Sequence, residues 1–148
     1  MSEAYTVMKF GGSSVGNPDR LLKIIETVAV QRIEGPVAIV VSAMGGITDQ
    51  LIRATELARD PDGDYKEVVH ALRDRNISTA EELLAAGASP VVAAIEKDVS
   101  DIEDLLRGVR IAGVCPDTTT ELVSGYGELW SAQMLHGLLA RRGESVDW

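Results

Sequence analysis

Residues 9–15 read Lys-Phe-Gly-Gly-Ser-Ser-Val, and their types and spacing suggest a chemical role. Gly11 and Gly12 permit positive φ, so the backbone N–H groups around them, including that of Ser13, are able to converge on one point. A turn of this kind, between a strand and the start of a helix, suits phosphate. Lys9 adds a positive charge beside it. The alternative interpretation is a plain strand-to-helix turn with an incidental lysine.

Three side chains farther along the chain suggest a second ligand group. Ser42 and Thr48 flank another glycine pair, and Glu128 follows two closely spaced glycines. Hydroxyl groups donate to a carboxylate and a glutamate accepts from an ammonium group. Together with the phosphate turn, these residues suit an amino acid beside a phosphoryl donor. Each also has a structural alternative, because Ser and Thr commonly cap helices and glutamate is favoured in a first helical turn.

Two predicted strands place these residues. Apolar and β-branched runs at residues 5–10 and 37–41 predict strands, the second covered on both faces. The helical spacing of apolar residues between them predicts a helix over 17–34, with Asn17 as its N-cap. A strand, a helix and a strand in succession imply a parallel pair and an α/β fold. Because ligands bind at the carboxyl ends of such strands, the loops that follow them are expected at one rim.

The rest of the chain is predicted to be mainly helical. Thr48 or Asp49 is expected to cap a helix that ends near residue 59. Residues 64–112 are expected to form a helical insertion packed on the sheet domain, with helices over 65–77 and 79–86 and a longer one from 89. Its acidic residues between 96 and 104 are interpreted as a solvated face.

The last part of the chain is predicted to be an interrupted helix. Gly125 and Gly127 lie inside the helical stretch 117–142, which indicates a kink or a close backbone approach. Gly143 is expected at the position just after the helix end. Residues 145–148 are typical of the beginning of another strand.

Composition limits the class of protein. The 148 residues carry 14 Lys and Arg against 23 Asp and Glu, for a net charge of −9. Such a field argues against nucleic acid or an anionic membrane as a partner, although a local group of N–H donors and a lysine still suits a small anion. One cysteine fits a reducing compartment. With no secretory signal or membrane-spanning run apparent, we expect a soluble, cytoplasmic protein.

Three motifs in order resemble those of aspartate kinases, within the amino acid kinase family. The first is residues 9–15. The second, residues 41–49, reads Val-Ser-Ala-Met-Gly-Gly-Ile-Thr-Asp and is similar to the family's second strand and substrate loop. The third, residues 127–131, reads Gly-Glu-Leu-Trp-Ser. Residues 106–108 and 115–117 also resemble the branch that is fused to homoserine dehydrogenase.

This resemblance implies a three-layer αβα sandwich with a mainly parallel sheet, incomplete in this chain. It also implies ATP-dependent phosphorylation of L-aspartate to 4-phospho-L-aspartate, the first step toward lysine, threonine and methionine. Lys9 would be the catalytic residue that neutralises charge on the transferring phosphoryl group. Gly11, Gly12 and Ser13, with Lys9, would contact the phosphates of ATP, and Mg²⁺ would accompany the nucleotide.

The amino acid would be held by the second group of residues. By the same resemblance, Ser42 and Thr48 would bind L-aspartate and Glu128 would accept its ammonium group. One residue departs from the family pattern, because Leu129 stands where many members carry a basic residue. An interaction made by that residue is therefore expected to be missing.

The length of the chain is a second departure. The family's kinase domain continues well beyond a strand like residues 145–148. Residues 1–148 are therefore expected to be the N-terminal, substrate-binding portion, without the nucleotide-binding half and the regulatory domains, and inactive alone. The full-length enzyme is expected to be a homo-oligomer.

Two other functions remain open from the sequence. One is a non-catalytic aspartate-binding or assembly module of the same fold, which an aspartate titration would separate from a purely structural role. The other is a kinase for another acidic amino acid, which a comparison of aspartate with glutamate would identify.

Overall fold

The structure, a computed structural model, describes residues 5–148. In chain order its elements are β1 (Thr6–Phe10), α1 (Pro18–Arg32), β2 (Val37–Val41), α2 (Ile47–Arg59), α3 (Tyr65–Leu84), a short 3-10 turn (Ala85–Gly87), α4 (Ser89–Ala112), α5 (Asp117–Ser124) and α6 (Tyr126–Arg141). The described chain is thus mainly helical, with its strands confined to the first third.

β1 and β2 form a parallel two-stranded sheet. Thr6 lies opposite Val37 and Phe10 opposite Val41. This confirms the parallel pair and the α/β class with an incomplete sheet. The first strand begins one residue later than predicted, and α1 ends at Arg32, where the backbone turns away toward β2.

The start of α1 follows directly from its sequence. Asn17 is the N-cap, as predicted, and its side-chain oxygen accepts a hydrogen bond of 3.0 Å from the N–H group of Arg20. Pro18 occupies the first turn, where its missing N–H group costs nothing. One face of the helix is buried through Leu21, Ile24, Ile25 and Val28.

The described residues cover one face of the sheet. Met8 and Ile39 pack against the core, whereas Val7 and Val40, which alternate with them, are 66% and 47% exposed. The prediction that β2 is covered on both faces is therefore wrong for residues 5–148. An apolar run shows that a strand suits burial, but it cannot supply the element that would cover the second face.

α2, α3 and α4 form the helical part of the molecule, where α3 packs against both of the other two. The predicted break near residue 78 is absent, and α3 is one helix of 20 residues. Asn76 and Thr79 bond the carbonyls of Leu72 and Arg75 one turn back, at 2.8 and 2.9 Å. These polar side chains therefore remain inside the helix and do not cap a new one.

The guanidinium group of Arg110 joins α4 to the end of α2. It donates hydrogen bonds to four backbone carbonyls, and its carbon atom lies 5.2 Å from the centre of the Tyr65 ring. These carbonyls belong to Leu57, Ala58, Pro61 and Gly63. Arg110 thus satisfies carbonyls that the end of a helix leaves unpaired.

The C-terminal part separates into α5 and α6 at Gly125, as the glycine pair predicted. Gly143 follows α6 with φ of +77°, which confirms the left-handed residue expected there. Residues 145–148 are not a strand, and Trp148 is 64% exposed. A strand requires a hydrogen-bonded neighbour, and β1 and β2 are the strands that residues 5–148 form.

Two further findings concern the described chain. None of its helices is long and apolar enough to cross a membrane. Over residues 5–148, no group of three or more His, Cys, Asp and Glu side chains is arranged to hold a metal ion.

Candidate functional site

The loop after β1 carries the predicted phosphate-binding residues. Lys9 and Ser13 are exposed, and the N–H group of Ser14 donates to the carbonyl of Gly11 at 2.8 Å, which closes a tight turn. Neither Gly11 nor Gly12 has a positive φ, so the conformational argument made for them from sequence is wrong. A Cβ atom at Gly11 would meet no protein atom within 4 Å, so the space beside its backbone is open.

Arg20 contacts this loop from α1, and it was not among the residues predicted from the sequence. It lies in the first turn of α1, and its guanidinium group donates to the carbonyl of Ser13. A basic residue three positions after a predicted N-cap was the available signal, because its side chain is able to reach back along the helix to the loop. Arg20 therefore holds the turn and brings a basic side chain to it.

The loop after β2 begins beside the first loop. The N–H group of Ser42 donates to the carbonyl of Phe10 at 3.0 Å, which continues the ladder of the sheet by one residue. Ala43 and Met44 are buried, while Ser42 and Thr48 are half-buried. The hydroxyl groups predicted to bind substrate are thus anchored by buried neighbours.

The predicted cap of α2 is wrong. The helix begins at Ile47, with Gly46 as N-cap at φ of +80°, and no side chain caps it. Ile47 is fully buried, so its packing sets the start of the helix two or three residues earlier than a cap at Thr48 or Asp49 would. Thr48 consequently lies within the first turn, and its hydroxyl group is not used as a cap.

Glu128 lies in the first turn of α6 and is half-buried. The preceding residue, Gly127, is buried against the second loop. A Cβ atom there would lie 2.7 Å from Cβ of Ala43 and 3.0 Å from a methyl carbon of Ile47. The close backbone approach expected of the glycine pair is therefore an approach to the loop after β2, and it places Glu128 beside that loop.

The three predicted loops meet around Ala43. A Cβ atom at Gly12 would lie 3.6 Å from the carbonyl oxygen of Ala43, in ordinary contact, and Gly127 approaches the same residue through its side chain. The backbone segments that carry Lys9, Ser42 and Glu128 are therefore neighbours. The structure brings together segments that are more than 80 residues apart in sequence.

Trp130, two residues after Glu128, connects α6 to α4. Its side chain is fully buried, and the indole N–H group donates to Oδ2 of Asp98 on α4 at 3.0 Å. The ring of Tyr126 lies beside it, with centroids 6.3 Å apart. Asp98 is half-buried, so this member of the acidic stretch departs from the predicted solvated face.

Burial raises the pKa of Asp98 above its ordinary 3.8, and the hydrogen bond from Trp130 opposes that rise. Burial also raises the pKa of Tyr126, with the negative charges of Asp101 and Asp98 adding to the effect. The junction between α4 and α6 is thus a partly desolvated, negatively charged environment.

A groove of about 760 Å³ lies between β2, α6 and the C-terminal residues. Glu128 and His136 line its α6 side and Val40 its sheet side. Lys9 does not line it. The groove is mainly apolar in its lining, and the candidate site touches it only through Glu128.

Known proteins resemble this chain over nearly its whole length. Residues 4–148 match the family model of the amino acid kinase family. The bifunctional aspartokinase/homoserine dehydrogenase 2 of Arabidopsis thaliana is 32% identical over 147 residues, which cover 99% of this chain and 16% of that protein. Aspartokinase 2 of the same plant is 31% identical, over 97% of this chain and 26% of its own length.

A solved structure has the same fold. E. coli aspartokinase III, in complex with aspartate and ADP, superposes with a TM-score of 0.81 and 25% identity over 98% of this chain and 31% of its own. The chain thus spans a small part of the relatives it matches. Because the family model covers all but the first three residues, the chain belongs to the amino acid kinase family.

Proposed function

We propose that this chain is the aspartate-binding portion of an aspartate kinase, which transfers the γ-phosphoryl group of ATP to the side-chain carboxylate of L-aspartate. The observation that carries the proposal is the meeting of three loops at Ala43, where a cation, hydroxyl donors and a carboxylate lie on neighbouring segments. The names of the relatives and the aspartate and ADP bound by E. coli aspartokinase III support the choice of ligands.

Lys9 is the residue we assign to the transferring phosphoryl group. In the reaction a carboxylate oxygen of aspartate attacks the γ-phosphorus, the bond to the oxygen bridging to the β-phosphate breaks, and ADP leaves. An exposed ammonium group at the end of β1 is suited to stabilise the charge on the phosphoryl oxygens. The open turn at Gly11, Gly12 and Ser13 provides the backbone donors for the phosphates.

The amino acid is assigned to the other two loops. Ser42 and Thr48 donate hydrogen bonds to a carboxylate of aspartate, and Glu128 accepts one from its ammonium group. The exposed Ser13 of the turn and the half-buried Ser42, Thr48 and Glu128 support this division, because a charged small ligand needs both access and a partly dry contact.

ATP brings Mg²⁺ in this proposal. Since residues 5–148 provide no group of three metal-binding side chains, phosphate oxygens are the ligands we assign to the ion. When bound, the ion supplies charge neutralisation on the phosphates. What this chain contributes is the orientation of the phosphates by its N–H groups and the positive charge of Lys9.

The test is an ADP-release assay on the full product of the coding sequence, with L-aspartate as acceptor. Lys9→Met should lower kcat by a factor of about 10² to 10³ without changing the urea midpoint, because Lys9 is exposed. Lys23→Met removes the same charge from an exposed position on α1 and should keep full activity. Unchanged turnover in Lys9→Met would refute the assigned role.

The same assay decides between the remaining functions. Turnover with L-glutamate in place of L-aspartate would indicate a kinase for another acidic amino acid, and binding of aspartate without turnover would indicate a binding module. Residues 1–148 alone are expected to bind without turnover. The plant relatives are named chloroplastic, so the cytoplasmic location remains a prediction, which cell fractionation would check. The homo-oligomer is also a prediction, and sedimentation of the full product would check it.

A further inference from the structure

The helical insertion contacts the start of α6 through a part-buried hydrogen bond. Asp98 lies on α4, in the segment predicted as the insertion, and accepts the indole N–H of Trp130 at 3.0 Å. Trp130 is fully buried and is the fifth residue of α6. A buried donor of this kind is costly to leave unpaired, so the contact constrains how the first turn of α6 sits.

That first turn also carries Glu128. Gly127 is pressed against the second loop on one side, at Ala43 and Ile47. Trp130, three residues later and on the same side of the helix, is held by Asp98. Between two such contacts a helical turn has little freedom to rotate, and Glu128 lies between them in sequence. The break at Gly125 leaves α5 outside this arrangement.

We propose that Asp98 is a positioning residue, which orients the Glu128 carboxylate toward the ammonium group of the amino acid by holding Trp130. The inference rests on the proposed function of Glu128 and goes beyond it, because it places a determinant of substrate preference in the helical insertion. Asp98 itself does not contact the amino acid in this proposal.

The chemistry of the ligand offers a readout that a merely structural role would not change. Succinate has the two carboxylates of aspartate and lacks its ammonium group. A residue that acts by orienting Glu128 affects binding of aspartate far more than binding of succinate. The measured quantity is the ratio of the two dissociation constants, Kd for succinate over Kd for L-aspartate, obtained by calorimetry on the full product of the coding sequence.

Asp98→Ala removes the acceptor and should lower this ratio about tenfold. Asp98→Asn keeps an oxygen that accepts from the indole, so its ratio should stay within about twofold of the unaltered protein. Glu128→Gln is the reference for complete loss of the ammonium contact. Trp130→Phe removes the donor and tests the same bond from the other side, which keeps the proposal open to refutation if Asp98→Ala does not fold.

Val109→Ala is the control for lost packing. Val109 is buried on the same helix, about 16 Å farther along its axis, so this variant should lower the urea midpoint and leave the ratio unchanged. A ratio unaltered in Asp98→Ala, or one that falls equally in Asp98→Asn, would overturn the inference while Glu128→Gln still reports the proposed site. Failure of the unaltered protein to bind aspartate, or of Glu128→Gln to change the ratio, would refute the proposed function and this inference with it.

Discussion

The rim at the strand ends and the helical part of the molecule are held together by different means. At the rim, backbone meets backbone: Ser42 bonds Phe10 through main-chain atoms, and the glycine positions Gly12 and Gly127 approach Ala43 without side chains of their own. In the helical part, long side chains make the connections, as Arg110 does with four carbonyls at the end of α2.

This difference separates stability from ligand access. A rim built from backbone contacts leaves its polar side chains unused for packing, so Lys9 and Ser13 remain exposed. A helical part built from buried side chains supplies a rigid base, with Leu84, Ile95, Ile102 and Leu106 all at 0% exposure. Apart from Asp98, residues of the helical part are therefore expected to act mainly on folding when substituted, and those at the rim mainly on binding.

The largest effect on folding is expected from Arg110→Met. The change keeps an apolar stem but removes the donors of four carbonyls, and should lower the free energy of unfolding by about 2–4 kcal/mol. Urea unfolding measures it. Arg107→Met, at an exposed residue of the same helix, should cost less than about 0.5 kcal/mol. A loss of aspartate affinity in folded Arg110→Met would break the separation of the two regions.

Gly127→Ala should affect both folding and binding. Its Cβ atom would meet Cβ of Ala43, a group with no freedom to turn aside, so α6 has to move away at a cost of about 1–3 kcal/mol. Aspartate affinity should fall with it. Gly108→Ala is the matched control, since a Cβ atom there meets nothing within 4 Å, and it should stabilise α4 by about 0.5–1 kcal/mol. Equal behaviour of the two variants would contradict the close contact at Gly127.

A pair of helix caps compares the regions directly. Asn17 caps α1 beside the turn at residues 11–14, and Asp64 caps α3 in the helical part, with hydrogen bonds of 3.0 and 3.1 Å. Replacing either by Ala should cost about 1 kcal/mol of unfolding free energy. Of the two variants, only Asn17→Ala should also weaken nucleotide binding, because it loosens the turn that Arg20 holds. Calorimetry with ADP on the full product measures this binding. A similar weakening in Asp64→Ala would argue that capping acts through global stability.

The smallest effect is a dependence of stability on pH at Asp98. Because burial raises its folded pKa above 3.8, the folded chain binds this proton more tightly than the unfolded chain. The resulting contribution to stability is fully present below the unfolded value and is lost as pH rises through the folded pKa. Asp98→Asn cannot ionise, so the unaltered chain should lose stability relative to this variant between about pH 4 and about pH 7.

Paired urea titrations at the two pH values measure this difference. The charged and titratable groups around Asp98 are Lys97, Asp101 and Tyr126, and they are common to both proteins, so their effects cancel in the comparison. A difference that grows in the opposite direction would mean that the hydrogen bond from Trp130 outweighs burial.

Local sequence signals predicted the conformation correctly where it depends on residues within one short segment. Asn17 and Pro18 predicted the start of α1, Gly125 predicted the separation of α5 from α6, and Gly143 predicted a left-handed residue after the last helix. Each depends on hydrogen bonds or backbone preferences within a few residues. The order of the three motifs also predicted the family to which the chain belongs.

Errors arose where burial competed with a local preference. Thr48 and Asp49 are good caps, but packing of Ile47 begins α2 earlier. Separate helices were predicted over 65–77 and 79–86, but α3 continues through residue 78, and the buried side chains of Asn76 and Thr79 bond the preceding turn. A pattern of a few residues carries no information about which buried side chains pack against a helix, and this packing sets where the helix begins and ends.

The sequence by itself determined the strand–helix–strand unit, the helical middle and the types of residue available for chemistry, because these follow from periodicity and short motifs. Three contacts became visible in the folded chain alone: Gly12, Ala43 and Gly127 meet, Arg20 bonds the turn after β1, and Trp130 is bound by Asp98. Trp130 and Asp98 are 32 residues apart in the chain. Contacts at such separations depend on how whole helices pack, and packing is a property of the assembled core.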